Sequence, residues 1–225
     1  MIWRPSPNFG SRRDGALPDL IVLHYTAMES CAAACDRLCD PDCEVSAHYL
    51  IAEDGEVFQL VDEEMRAWHA GAGAWGDVTD VNSRSIGIEL ANTGADPFPD
   101  AQMRVLEGLL SDIVARWSIP PQRIIGHSDM APGRKRDPGP LFDWQRLAAK
   151  GLSVWPEAEP AAATSSFRQC ATTFGYPDSA NDEDLLAAFR LRFRPQADGP
   201  LQAEDTRLIA DLARRFPVDR AATSA

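Results

Sequence analysis

Basic charge is scarce in this 225-residue chain: 22 Lys and Arg stand against 34 Asp and Glu, for a formal net charge of −12 and a pI near 4.7. A surface of that sign repels phosphate backbones and anionic headgroups, so nucleic acid and anionic membrane surfaces are poor partners. Long apolar runs are also missing. No stretch approaches the ~18 residues that a spanning helix requires, so no membrane insertion is expected. The opening residues MIWRPSPNFGSRRDG are polar and lack the apolar segment of a secretory signal. Histidine is sparse: His24, His48, His69 and His127 are the whole complement.

Cysteine is present but patterned. Cys31, Cys35, Cys39 and Cys43 recur every fourth residue. On a helix, residues eight apart lie ~12 Å apart along the axis, too far to share one tetrahedral metal. Residues four apart hold their Cβ atoms ~6 Å apart, beyond the ~4 Å a disulfide wants. The stripe therefore reads as small apolar residues on one helix face. Unbridged thiols suit a reducing compartment.

Along the chain, Leu20-Ile21-Val22-Leu23 reads as a buried strand ending at His24. A helix is expected from Ser30 to Leu38, ended by Pro41. Strands at Val45–Ala52 and Val57–Val61 flank the hairpin signal Asp54-Gly55. Ile86–Leu90 is another strand. Met103, Leu106, Leu110, Ile113, Val114 and Trp117 recur at helical spacing ahead of Pro120. Ile124-Ile125 lead as a strand into His127, and a last helix is expected near Asp143–Lys150. Interleaved strands and helices predict an α/β domain over residues 1–150, a mixed central sheet flanked by helices. Residues 151–165, with Pro156, Pro160 and an alanine run, read as a linker. Residues 166–225 carry three helical patterns: Phe167–Phe174, a helix capped by Asn181 with Leu185, Leu186, Phe189 and Phe193 on one face, and one with Leu208, Ile209, Leu212 and Phe216.

His24 and His127 each end an apolar strand, and Asp137 follows in a loop rich in Pro and Gly. Two imidazoles and one carboxylate suffice for a catalytic zinc with a fourth position left for water. Spacing alone leaves open that these are hydrogen-bonded rim residues. Glu89 sits inside an apolar strand, where a charge is unexpected unless it lines a cleft; there it can act as general acid and base. Lys135, two residues before Asp137, can reach the same cleft and steady an oxyanion, or it can be one solvated charge of an Arg-Lys-Arg run.

These residues carry a resemblance. IVLHYTA (Ile21–Ala27), VSAHYLIAEDGEVFQLV (Val45–Val61), RAWHAG (Arg66–Gly71), NSRSIGIELAN (Asn82–Asn92) and IIGHSDMAPGRKRDPGPLFDW (Ile124–Trp144) resemble, in order, the blocks of the AmpD/AmiD-type zinc amidases, relatives of phage lysozyme-amidases and peptidoglycan recognition proteins. The resemblance implies one zinc per chain held by His24, His127 and Asp137, acid/base work at Glu89 and transition-state stabilisation by Lys135. It implies cleavage between N-acetylmuramic acid, or its anhydro form, and the L-alanine of peptidoglycan or muropeptides. Ala47 stands where the phage branch has a tyrosine, which leaves proton transfer to Glu89. Trp68 and His69 suit a substrate wall, Asn92 a partner for the stem-peptide backbone, and His48 a buried structural imidazole. Phe174-Gly175-Tyr176, Leu185–Pro195 and Asp198–Ile209 resemble a small three-helix peptidoglycan-binding domain; a purely stabilising helical cap is the alternative.

Two other functions fit the same residues: a muropeptide-binding module without catalysis, and a zinc peptidase acting within the stem peptide. The polar N-terminus and the thiols predict a cytoplasmic enzyme of wall recycling. A signal removed upstream would instead place it in the periplasm or at the outer membrane, as for AmiD-like envelope enzymes.

Overall fold

The computed structural model describes residues 1–157 and 165–218. In chain order the elements are β1 (Ile2–Trp3), β2 (Phe9–Ser11), β3 (Leu20–Tyr25), α1 (Cys31–Cys39), β4 (Tyr49–Ile51), β5 (Val57–Gln59), β6 (Met65–Ala67), α2 (Val81–Arg84), β7 (Ser85–Leu90), α3 (Asp100–Trp117), β8 (Ile124–Gly126), α4 (His127–Met130), α5 (Trp144–Ala149), α6 (Phe167–Phe174), α7 (Asp182–Phe193) and α8 (Ala203–Arg215). Six strands form one sheet in the order β1-β5-β4-β7-β3-β8, and β2 pairs with β6 in a separate ribbon. β3 runs parallel to β7 and β8, and β4 parallel to β7, whereas β4 and β5 are antiparallel across the Asp54-Gly55 turn. The sheet is mixed, as the alternation of elements predicts.

β3 has no polar face because both of its faces are covered. Ile21 and Leu23 pack with Met103, Leu106, Leu110 and Ile113 of α3 and with Trp144 and Leu147 of α5. Leu20 and Val22 pack on the other side with Ile125, Met130, Trp75 and the helices α6 to α8. Gln102, fully buried on α3, donates through Nε2 to the carbonyls of Ile51 and Ala91, which ties the helix to the sheet.

The helices expected after residue 165 form, and Asn181 caps α7 by accepting from Asp184 N at 2.8 Å. They share their core with the sheet. Trp75 lies 5.4 Å from Phe174 and 5.3 Å from Tyr176, ring centre to ring centre. Each fully buried phenylalanine here contributes roughly 1.5–3 kcal/mol. A buried ion pair joins the two halves: Arg192 Nη1 lies 2.7 Å from Asp129 Oδ2, and Tyr176 Oη donates to Asp129 Oδ1 at 2.8 Å. Of the expected linker, Leu152, Ser153 and Val154 are buried, and residues 158–164 lie outside the described residues, as do 219–225 of the helical segment.

The cysteine stripe is shorter than its spacing suggests. Cys31, Cys35 and Cys39 lie on α1, capped by Ser30, but Cys43 ends a separate single turn after Pro41. All five cysteines are unbridged thiols.

Candidate active site

The carboxyl ends of parallel strands are where open α/β sheets present their ligands. Here β3, β7 and β8 end together. His24 pairs in register with Glu89, and Leu23 with Gly126, the residue before His127. Register partners share a face of the pleat, so the imidazole of His24 and the carboxylate of Glu89 project the same way. Asp137 arrives from the loop after α4, whose backbone is held by Ser128 N donating to Asp137 O at 2.9 Å. A Cβ at Gly126 would lie 2.8 Å from Pro138 Cδ, so a glycine is needed for that loop to close on the strand.

The three side chains converge. His24 Nδ1 lies 2.8 Å from Asp137 Oδ2 and 3.0 Å from His127 Nδ1, and His127 Nδ1 lies 3.0 Å from the same carboxylate oxygen. His127 Nε2 faces the carbonyl of Ala70 at 2.8 Å. A carbonyl only accepts, so Nε2 carries a proton and Nδ1 is the ring nitrogen turned to the cluster. Burial, then the nearby His127, lower the His24 pKa to about 4 and keep it a neutral imidazole. Against burial, contacts to His127 and His24 hold Asp137 well below the usual carboxylate range. A neutral His24 and an ionised Asp137 are protonation states a bound cation demands. These residues can hold a metal ion: one donor atom from each lies within 4.8 Å of the others. A cation among them would take the place of the ring N–H that Asp137 otherwise accepts from.

Glu89 is the other unbalanced group. Its Oε2 is buried with no hydrogen-bond partner among the described residues. Burial first, and then the charge of Asp137, push its pKa up to about 8, against the opposing pull of Lys135. A cavity of about 460 Å³ opens over the cluster, walled by Trp68, Arg37, Lys135 and Arg136. Lys135 is exposed on the rim.

Of the residues singled out from sequence, His24, Glu89, His127, Lys135, Asp137, Trp68 and His69 all line this cavity. Asn92 does not. Its side chain accepts from Gly94 N at 2.7 Å and donates to Asp96 O at 3.2 Å, while its carbonyl accepts from Ala27 N at 3.0 Å. It shapes the rim residue Ala27, which sits at φ 51. His48 is structural, as expected: Nδ1 accepts from Gly87 N at 2.9 Å and Nε2 donates to Met65 O at 3.1 Å.

Three contributors went unread in the sequence. Arg12, only 8% exposed, donates to the carbonyls of Glu63, Ser83 and Ser85 under the sheet. Arg134 donates to the carbonyls of Ala70 and Ala72. Ser85 faces His69 Nε2 at 3.1 Å. The run Arg134-Lys135-Arg136 looks like solvated charge, and nothing in the spacing marks the other two.

Comparison with known proteins agrees with this geometry. The family described as N-acetylmuramoyl-L-alanine amidase matches residues 14–140. N-acetylmuramoyl-L-alanine amidase AmiD of Escherichia coli (strain K12) is 35% identical over 237 residues, covering 89% of this chain and 84% of its own. The 1,6-anhydro-N-acetylmuramyl-L-alanine amidase AmpD of Enterobacter cloacae is 38% identical over 162 residues, covering 64% of this chain and 87% of its own. A solved complex of E. coli AmiD with anhydro-N-acetylmuramic acid-L-Ala-D-gamma-Glu-L-Lys superposes with a TM-score of 0.82 at 32% identity, over 96% of this chain and 94% of that one. With the family matched over more than half of the chain and AmiD matched over most of both lengths, this protein belongs to the N-acetylmuramoyl-L-alanine amidase family, in its AmpD/AmiD branch.

Proposed function

We propose that this amidase hydrolyses the amide between N-acetylmuramic acid, or its anhydro form, and the L-alanine of the stem peptide, using one zinc ion held by His24, His127 and Asp137. The observation that carries the reading is the convergence of three donor atoms beside a buried carboxylate oxygen, unpartnered among the described residues, in one cavity. Zinc supplies Lewis acidity there when bound. Glu89 accepts the proton of the attacking water and delivers it to the departing amide nitrogen. Its raised pKa suits it to both directions of that transfer. Lys135 brings an ammonium to the developing oxyanion. Trp68, on the cavity wall, offers an indole to the sugar or lactyl group. Asn92 acts indirectly, by holding the Thr26–Ala27 rim that the stem peptide crosses.

The proposed partner is acidic muropeptide, and the cationic wall of Arg37, Lys135 and Arg136 in a chain of net charge −12 supports it. Residues 166–225 are assigned to a peptidoglycan-binding-like unit after the 151–165 linker. The core it shares with the sheet supports a buttressing role as well. No helix among the described residues is long and apolar enough to cross a membrane. We place the enzyme in the cytoplasm, in wall recycling; the unbridged thiols support this, with burial pushing Cys31 and Cys35 up to about 11.

The test is product mass spectrometry on an anhydromuropeptide, with zinc-loaded and chelator-stripped protein. The amidase releases an intact peptide beginning at L-alanine, and only when loaded. Shortened peptides would mean a stem-peptide peptidase, and binding without turnover would mean a recognition module.

A further inference from the structure

His69 reads from sequence as part of a substrate wall, but its ring makes different contacts. The Ser85 hydroxyl donates to the carbonyl of Val81 at 2.5 Å, so its remaining contact, to His69 Nε2 at 3.1 Å, must be one in which Ser85 Oγ accepts. His69 therefore carries its proton on Nε2 and its lone pair on Nδ1. That Nδ1 lies 3.1 Å from His24 Nε2, which must then be the donor. With its proton on Nε2, His24 directs the lone pair of Nδ1 at His127 and Asp137. The chain Val81 O, Ser85, His69, His24 runs in one direction from a fixed acceptor to a metal-facing lone pair.

The surrounding backbone is built to hold this ring. His69 N and Ala70 N both donate to Asn82 Oδ1, at 3.1 and 2.9 Å. A Cβ at Gly87 would lie 2.4 Å from His69 Cγ, so only a glycine there lets the imidazole lie on β7. The carbonyl of the next residue, Ala70, orients His127. One short loop thus addresses both imidazoles of the cluster, each through a different group.

We infer that His69 is a positioning residue for the metal centre: with Ser85 it sets the tautomer and ring orientation of His24, and with Ala70 it makes residues 69–70 the outer shell of the ligand cluster. This rests on the reading of His24, His127 and Asp137 as zinc ligands. Outer-shell partners of this kind typically tune metal affinity by about 10- to 100-fold.

The experiment measures the zinc dissociation constant of the full chain by chelator competition, with Michaelis constants taken at saturating zinc. His69→Leu should weaken zinc binding by about 10- to 100-fold with KM little changed. Ser85→Ala, a smaller perturbation, should weaken it in the same direction. His69→Asn should restore much of the affinity, because an amide oxygen can stand where Nδ1 accepted. In the metal-free wild type, nitrogen-resolved NMR should find His24 protonated at Nε2, and Ser85→Ala should mix the tautomers. Unchanged zinc affinity in folded His69→Leu and Ser85→Ala, or a raised KM as the only effect, would overturn the inference and return His69 to the substrate wall. A wild-type protein that binds no zinc would instead overturn the ligand reading on which it rests.

Discussion

Replacing Arg192 with leucine should loosen the helical segment and the metal site together. Arg192 and Asp129 are each 1% exposed, and their contact is 2.7 Å. The guanidinium also donates to Ser153 Oγ at 3.0 Å and stacks 4.2 Å over Trp144. Asp129 Oδ2 in turn accepts from Gly126 N at 2.8 Å, fastening the turn that begins at His127. Leucine keeps apolar volume but strands a buried carboxylate with only Tyr176 and the Gly126 amide. Breaking one side of a buried pair costs about 3–5 kcal/mol, a large share of a total stability of roughly 5–15 kcal/mol. At about 2–4 °C per kcal/mol for a chain of this size, Tm should fall by about 6–20 °C. Circular dichroism melting of the full chain reads this, with zinc content measured on the same samples. Adding Asp129→Asn should recover part of the loss, because the uncompensated charge is then gone. A single variant melting within ~2 °C of wild type, with full zinc, would refute the claim that this ion pair supports the His127 turn.

Wild-type protein should hold about one zinc per chain, and His24→Ala or Asp137→Ala should lose both metal and activity by elemental analysis and turnover assay. Glu89→Gln and Lys135→Met should keep fold and metal but lose kcat by ~10²-fold or more; near-normal kcat in Glu89→Gln would require another base. In metal-free protein, Glu89 holds its proton up to about pH 8, whereas in the unfolded chain it ionises near its ordinary value of 4.5. The folded state therefore binds the extra proton between those limits, and stability should fall as pH rises through that window. Denaturant melts should show the slope, and Glu89→Gln should flatten it. A chain ended after Val154 uncovers Leu20, Val22, Trp75 and Ile125, so it should aggregate or melt early rather than survive as a free catalytic domain, as light scattering and melting would report.

Local pattern carried a good deal of this protein. The apolar run at Leu20–Leu23, the period of α3 and the Asn181 cap are sequence-local, because hydrophobic period and capping act within a few residues. The strands carrying His24 and leading into His127 were legible for the same reason, although β3 runs one residue past His24 to Tyr25, and the ordered blocks singled out Asp137, Glu89 and Lys135. Boundaries were less so. The strand expected over Val45–Ala52 is only Tyr49–Ile51, since Val45 O and Ser46 N are taken up by Asn8 Nδ2 and Trp68 O outside the sheet, and His48 N is the first to reach β7, at Gly87 O. β1, β2 and β6 span two or three residues, too few for any period to register.

What only the tertiary structure decided is who meets whom. Residues 24, 69, 85, 127 and 137 are spread over more than a hundred positions, and their hydrogen-bond order depends on sheet register and on Gly87 admitting a ring. The same holds for the helices after residue 165. Their apolar faces predict that they bury something, but a face does not name its partner. That they close over Leu20, Val22 and Trp75 follows from an apolar stretch of sheet they share a core with, and from a buried arginine paired with a carboxylate two residues from His127.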